Sequence, residues 1–92
     1  MASHVDSVAT FRARVEDIGL GELWDKMAAM KINTYAAYAF GANFTPGSPD
    51  ETPFIEGIVK PSAGEDKSLY SGLRRLFFES YTLMAAETKR RL

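Results

Sequence analysis

Residues 68–92 read SLYSGLRRLFFESYTLMAAETKRRL, a stretch without proline whose large apolar residues recur every three or four positions. This spacing predicts a helix with one face turned toward a core. The residues that form this face are Leu69, Leu73, Leu76, Phe77, Leu83 and Met84. At about 100° per residue, Tyr70, Phe78, Tyr81 and Ala85 widen the apolar arc to roughly 220°. We therefore predict that this helix organises the fold and that Phe78 and Tyr81, which lie off the main arc, contact a partner.

Three shorter helices are predicted upstream. The first covers residues 7–18 and ends at Gly19, because glycine adopts the left-handed conformation that terminates helices. The second covers residues 20–30, with apolar and charged residues on opposite sides. The third covers residues 35–40 and contains no charged residue, so we expect it to be mostly buried.

A fourth helix is predicted between two loops. Residues 41–49 concentrate glycine, proline, asparagine and serine and should form a loop, with Phe44 as its anchor. Asp50 or Thr52 is the expected N-cap of the helix that follows. Pro53 falls in its first turn and Pro61 is expected to end it, because proline lacks the amide that a helix interior needs.

Composition favours one water-soluble domain and argues against several classes of enzyme. The chain has 92 residues, 46% of them hydrophobic and 25% charged, with a formal net charge of −1. It contains no cysteine, and its one histidine is His4, near the N-terminus. Neither GxxxxGK[ST] nor GxGxxG occurs after a strand pattern. We therefore expect a non-enzymatic protein without a catalytic residue, a cofactor or a metal site.

The sequence also predicts how the domain is arranged. We expect a single helical domain over residues 1–92, with residues 1–5 flexible and residues 85–92 extending the last helix past the core. The first residues lack the apolar stretch of a secretory signal, and no run approaches the roughly 20 apolar residues that span a bilayer. We expect an intracellular protein, in the cytoplasm or the nucleus.

Two groups of basic residues lie in the last helix. Arg74 and Arg75 lie near its start, where helices already favour anions, and they predict a contact with a partner's carboxylates or with phosphate. Lys89, Arg90 and Arg91 lie at its end, where cations complement the helix dipole. Binding of nucleic acid through these two groups is the alternative function.

Residues 11–40, FRARVEDIGLGELWDKMAAMKINTYAAYAF, resemble the first helices of the sterile alpha motif (SAM) family. The matching features are an Ile-Gly-Leu junction after the first helix, then an aromatic, a large apolar residue and an isoleucine: Ile18, Gly19, Leu20, Trp24, Met27 and Ile32. Later matches are the Gly-Ile that closes the fourth helix and the opening of the long fifth helix: Gly57, Ile58, Gly72, Leu73 and Arg74. Leu73 stands where the family has histidine, and both loops are longer than usual.

The resemblance implies a five-helix bundle with a long C-terminal helix that associates with itself or with another helical domain. One implied surface surrounds the start of the last helix: Lys67, Leu69, Tyr70, Arg74 and Arg75. It would meet an acidic surface formed by Glu22 and Asp25, together with Asp50 and Glu51. The alternatives at the level of fold and function are a helical domain of a viral or retroelement polyprotein and a structural domain of a larger assembly.

Overall fold

Helices make up most of the chain in the computed structural model, which describes residues 4–42 and 44–91. No strand occurs within these two ranges. The α-helices are α1 (Val8–Ile18), α2 (Trp24–Ala29), α3 (Tyr35–Ala39), α4 (Thr52–Phe54), α5 (Lys60–Ala63) and α6 (Tyr70–Arg91). Short 3₁₀-helices cover His4–Asp6, Gly21–Leu23 and Lys67–Leu69, and a π-helix covers Ile55–Val59. The predicted all-α class is confirmed for the described residues.

Helix α1 begins and ends where the sequence predicts. The Thr10 amide donates a hydrogen bond to the Ser7 side chain at 3.2 Å, which caps the N-terminus. Gly19 has φ 93°, the left-handed conformation, and its amide bonds back to the carbonyl oxygens of Val15 and Glu16. The chain therefore turns sharply at Gly19 and enters the segment that leads to α2.

The N-terminal segment differs from the prediction at Val5. A flexible end is predicted for residues 1–5, whereas Val5 lies in the 3₁₀-helix His4–Asp6 and is only 4% exposed. Contacts between this short helix and both α3 and α6 hold it against the core. Five residues give too little periodicity to show which of them is buried, and residues 1–3 lie outside the described part of the chain.

The prediction that Pro61 ends the fourth helix is wrong. Helix α4, the π-helix and α5 follow one another without a break, so residues 52–63 form one helical segment, the 52–63 helix. The Lys60 amide bonds to the Ile55 carbonyl, five residues back instead of four. This wider turn comes just before Pro61, so the hydrogen-bond pattern changes where the proline has no amide to donate.

The core lies between α6 and α3. Leu73, Leu76 and Phe77 of α6 are almost completely buried. The Tyr38 hydroxyl, also buried, donates a hydrogen bond to the Leu73 carbonyl oxygen at 2.8 Å. Burial raises the pKa of Tyr38 far above its ordinary value. These contacts confirm α6 as the helix against which the other elements pack.

The start of α6 packs closely against the turn between α1 and α2. A Cβ added at Gly72 would lie 3.1 Å from Leu20 Cδ2 and 3.3 Å from Ile18 Cγ2. These distances are shorter than ordinary carbon–carbon contacts, so the small residue lets the two backbones approach. Gly72 therefore explains how α6 reaches the Ile18–Gly19–Leu20 junction.

Phe44 anchors the loop before the 52–63 helix, as predicted. The Phe44 ring stacks on Phe54 with centroids 5.5 Å apart and lies 5.6 Å from Phe77. The prediction for residues 35–40 is only partly right, because Tyr35, Tyr38 and Ala39 are buried whereas Phe40 is 73% exposed. Phe40 follows the last residue of α3, and the chain leaves the core at this point.

Replacing Gly19 by alanine should destabilise the fold, whereas the same change at Gly57 should not. A Cβ at φ 93° costs about 1 to 2 kcal/mol, because the left-handed conformation brings it close to the carbonyl oxygen. Gly57 lies inside the 52–63 helix, and a Cβ there meets only Ala42 Cβ at 3.7 Å. Gly57→Ala should therefore raise the free energy of unfolding by about 0.5 to 1 kcal/mol. Urea titration of both variants measures the two changes, and equal effects would contradict the assigned conformation of Gly19.

Tyr38→Phe should lower the free energy of unfolding by about 1 kcal/mol, because it removes a buried hydrogen bond and keeps the ring. Tyr81→Phe is the matched control, since the Tyr81 side chain is 37% exposed. The control should change the free energy of unfolding by less than about 0.5 kcal/mol. Equal losses in the two variants, measured by thermal unfolding, would show that the bond to Leu73 does not stabilise the fold.

Candidate protein-interaction surface

Most residues just before α6 and in its first turn make contacts within the fold and do not form an open surface. The Ser68 amide donates to the Asp66 carboxylate at 3.1 Å, which caps the 3₁₀-helix Lys67–Leu69. Leu69 is half-buried against the core. The Tyr70 hydroxyl donates to the Gly64 carbonyl oxygen at 2.8 Å. Of the predicted partner-binding residues Lys67, Leu69 and Tyr70, Lys67 is therefore the exposed one.

Arg74 forms an ion pair inside the chain. Its guanidinium donates two hydrogen bonds to the Glu51 carboxylate, at 3.0 and 3.1 Å. The resemblance placed these two residues on opposite surfaces that meet between molecules, whereas the structure joins α6 to the start of the 52–63 helix through them. Both side chains are more than one-third exposed, so the pair contributes little to stability. Arg74 nevertheless has its charge largely compensated.

Glu79 is shared by two arginines. Arg14 of α1 donates to its two carboxylate oxygens at 2.6 and 3.0 Å, and Arg75 Nε lies 3.5 Å from Oε1. The hydrogen bonds from Arg14 and the charge of both arginines hold the pKa of Glu79 below its ordinary value, and the same contact raises the pKa of Arg14. This pair ties α1 to α6, and the Arg75 side chain is 65% exposed.

The predicted acidic surface divides into two parts. Glu22 and Asp25 are exposed near the start of α2, and no ion pair between described residues involves either of them. Asp50 accepts a hydrogen bond from the Thr52 amide at 3.0 Å, and the hydrogen bonds from Thr52 lower its pKa. Asp50 and Glu51 therefore have partners within the chain, which leaves Glu22 and Asp25 as the open acidic pair.

Large apolar side chains are exposed along the outer side of α6. Phe78 is 61% exposed and Tyr81 is 37% exposed. Phe40, 73% exposed at the end of α3, forms a second wall beside Tyr81. We call these three residues and Ala85 the outer apolar stripe. Soluble chains seldom leave several large apolar side chains together in water, so the stripe is a candidate contact surface.

Two cavities open on this side of α6. The first, about 320 Å³, lies between α6 and the loop before the 52–63 helix, and its lining includes Phe44, Pro46, Glu51, Arg74 and Phe78. The second, about 360 Å³, lies between α6 and the end of α3, and its lining includes Ala39, Phe40, Tyr81, Met84, Ala85 and Lys89. Sequence reasoning identified Phe78 and Tyr81 but missed Phe40, whose exposure depends on where α3 ends.

No protein-family model, curated protein or solved structure matches this chain. These comparisons therefore give no test of the SAM resemblance. A functional assignment has to come from the residues themselves and from the surface that they form.

Two further properties concern the described residues only. Within residues 4–42 and 44–91, no group of three or more histidine and acidic side chains is arranged to hold a metal ion. No helix in the same ranges is both long and apolar enough to pass through a lipid bilayer. The surface features on which a proposal can rest are therefore the outer apolar stripe and the charges around it.

Glu79→Gln should make the fold less stable near neutral pH and less sensitive to acid. A carboxyl group whose pKa is lowered by folding stabilises the folded state above the unfolded pKa, near the ordinary value of 4.5, and loses this effect as the pH falls through the folded pKa. The difference between wild type and variant should be about 1 to 2 kcal/mol at pH 7 and should shrink below pH 4.5.

The matched control is Glu56→Gln. Glu56 forms an exposed ion pair with Lys60 within one helical segment, at 2.9 Å. It should change stability little at any pH, because exposed pairs are weak. Urea titrations from pH 3 to pH 7 compare the two variants, and a Glu79→Gln effect that did not depend on pH would contradict the role of the ionised carboxylate.

Proposed function

We propose that this chain is a non-enzymatic protein-interaction module that associates through the start and flank of α6. The partner is a second copy or another helical domain, and the site of action is the cytoplasm or the nucleus. The outer apolar stripe carries the proposal. Phe40 and Phe78 are both more than half exposed, and water contact with such large apolar side chains is relieved when a partner covers them.

The composition of this surface is typical of protein interfaces. Aromatic side chains and arginine are enriched in interface centres, and the stripe combines Phe78 and Tyr81 with the nearby Arg75. Lys67 and Arg75 provide exposed positive charge near the start of α6, which can steer an acidic surface such as Glu22 and Asp25 of a second copy. Apolar contact then supplies the stability of the complex and charge supplies its orientation.

A SAM-like five-helix arrangement is part of the same proposal. It is supported by the order of the helices, by the long α6 and by the contact of Gly72 with Ile18 and Leu20 at the matched junction. Two features depart from the resemblance: the π-helix within the 52–63 helix, and the pair that Glu51 forms with Arg74 inside the chain. A SAM-like arrangement of the helices is therefore compatible with an interface other than the head-to-tail contact that the resemblance implies.

The alternatives are less well supported. Binding of nucleic acid through Arg74 and Arg75 needs both side chains uncompensated, whereas Arg74 bonds to Glu51 within the chain. A structural role within a larger assembly or a polyprotein shares the outer apolar stripe with our proposal. It differs because the stripe would then be covered permanently by neighbouring chains.

Sedimentation velocity over a concentration series tests self-association. We expect the mean sedimentation coefficient to rise with concentration, and Phe78→Ser to shift this rise to concentrations at least about tenfold higher, because it removes a central anchor. Arg74→Glu should weaken association as well, because it places an additional negative charge beside Glu51.

Val8→Ser is the matched control, since Val8 is an exposed apolar residue on α1, 45% exposed. It should leave the concentration dependence unchanged. A monomer at every concentration, unaffected by Phe78→Ser or Arg74→Glu, would contradict the homotypic form of the proposal. Retention of RNA or DNA at low salt would favour the nucleic-acid alternative.

A further inference from the structure

The two cavities lie one after the other along the same side of α6. At about 100° per residue, the α6 residues that line them fall within about 140° of one another, except Arg75, which lies at the edge of this arc. These residues include Arg74, Phe77, Phe78, Tyr81, Met84 and Ala85. The cavities are therefore two parts of one groove, bounded on its other side by the loop around Phe44 and by Phe40 at the end of α3.

The dimensions of this groove fit a helix. From Arg74 to Lys89 it runs about 22 Å along α6, at roughly 1.5 Å per residue, which is the length of about four helical turns. The lining of the second cavity combines the small side chains of Ala39 and Ala85 with the large rings of Phe40 and Tyr81. Each cavity lies at the lower end of the volume range of ligand sites, about 300 to 1,000 Å³, so each suits one or two apolar side chains of a docked helix.

The charge of the groove selects the partner. Among the described residues that line the two cavities, Arg74, Arg75 and Lys89 are basic and Glu51 is the only acidic one. The groove is thus positive in a chain whose formal net charge is −1. Arg75 and Lys89 lie near its two ends, so carboxylates that flank the apolar anchors of a partner would be attracted at both ends.

A second copy of the chain fits this groove poorly. Two copies that met through the same groove would bring basic residues against basic residues. The acidic surface of a second copy, at Glu22 and Asp25, offers few apolar anchors beside it, because Leu23 and Met27 are buried and the half-buried Trp24 is covered by Arg12, 5.4 Å from its ring centroid. The occupant therefore has to carry both acidic and exposed apolar residues.

We propose that this groove binds an acidic amphipathic helix of a different protein, with apolar anchors three or four residues apart and acidic residues on both sides of them. The inference rests on the proposed role in protein association and specifies the partner. The helix lies along α6 and places its anchors between Phe40 and Tyr81 and beside Phe78. Self-association through the start of α6 shares Phe78 with this groove, but it does not require the part of the groove between Phe40 and Tyr81 to be filled.

A displayed library of helical 16-residue peptides tests the inference against the immobilised full-length chain. Anchor positions are randomised between leucine, phenylalanine and serine, and flanking positions between glutamate, lysine and glutamine. We expect selected peptides to carry glutamate over lysine by at least about fivefold at the flanks, and leucine or phenylalanine at the anchors. Charge reversal in the double variant Arg75→Glu, Lys89→Glu should invert the preference to lysine.

Two substitutions locate the binding site. Ala85→Gln fills the groove without changing charge, and it should reduce recovery of the selected peptides at least about tenfold. Ala86→Gln is the matched control, because Ala86 is also exposed but lies about 100° further around α6. Recovery of the selected peptides on Ala86→Gln should match their recovery on the wild type. Phe40→Ser, which removes the other wall of the groove, should act like Ala85→Gln, and circular dichroism verifies that each variant is folded.

Peptides without an acidic bias, or equal recovery on wild type and Ala85→Gln, would overturn the inference. If the chain nevertheless self-associates in a manner that depends on Phe78, only the acidic helix is wrong and the proposed function stands. If the chain is also monomeric with or without Phe78, both proposals fail. Self-association that Ala85→Gln abolishes would identify a second copy as the occupant and would likewise overturn the inference.

Discussion

The hydrogen bond from the Tyr38 hydroxyl to the Leu73 carbonyl oxygen fixes α3 against α6. A fully buried hydroxyl without an acceptor is costly, so the two helices have to keep the 2.8 Å contact. The Tyr38 ring packs against Phe77, with centroids 5.3 Å apart, and Phe77 contacts Phe54 at 5.0 Å. Through these rings, the position of the 52–63 helix depends on the same contact.

The parts of the fold that sequence could predict depend on local physics. The end of α1 follows from the conformational freedom of Gly19, and the buried face of α6 follows from the spacing of its apolar residues. The parts it missed depend on tertiary structure or on an unusual helix. Val5 is buried because α3 and α6 pass beside it, and Pro61 is tolerated because the helix widens before it. Neither the burial of Val5 nor the tolerance of Pro61 can be recognised from the few residues around it.

The same division applies to the candidate surface. The excessive width of the apolar arc predicted that Phe78 and Tyr81 face outward, since a helix can turn only part of its circumference toward one core. The exposure of Phe40 was missed because a segment without charged residues does not show whether its last residue is buried. The pairing of Arg74 with Glu51 joins positions 23 residues apart, a relation that periodicity cannot reveal. The features of this surface that sequence alone did not reveal therefore lie where α3 and the start of the 52–63 helix meet α6.

The wide turn before Pro61 also constrains how the sequence can change during evolution. A π-helical turn holds about one residue more than the α-helical turn it replaces. Losing one residue from Ile55–Val59 would restore the narrower turn and return Pro61 to a position where its ring meets a carbonyl oxygen, although the buried Ser62 would stay on the same side of the helix. The additional residue and the proline are therefore expected to be gained and lost together in any lineage that keeps this fold.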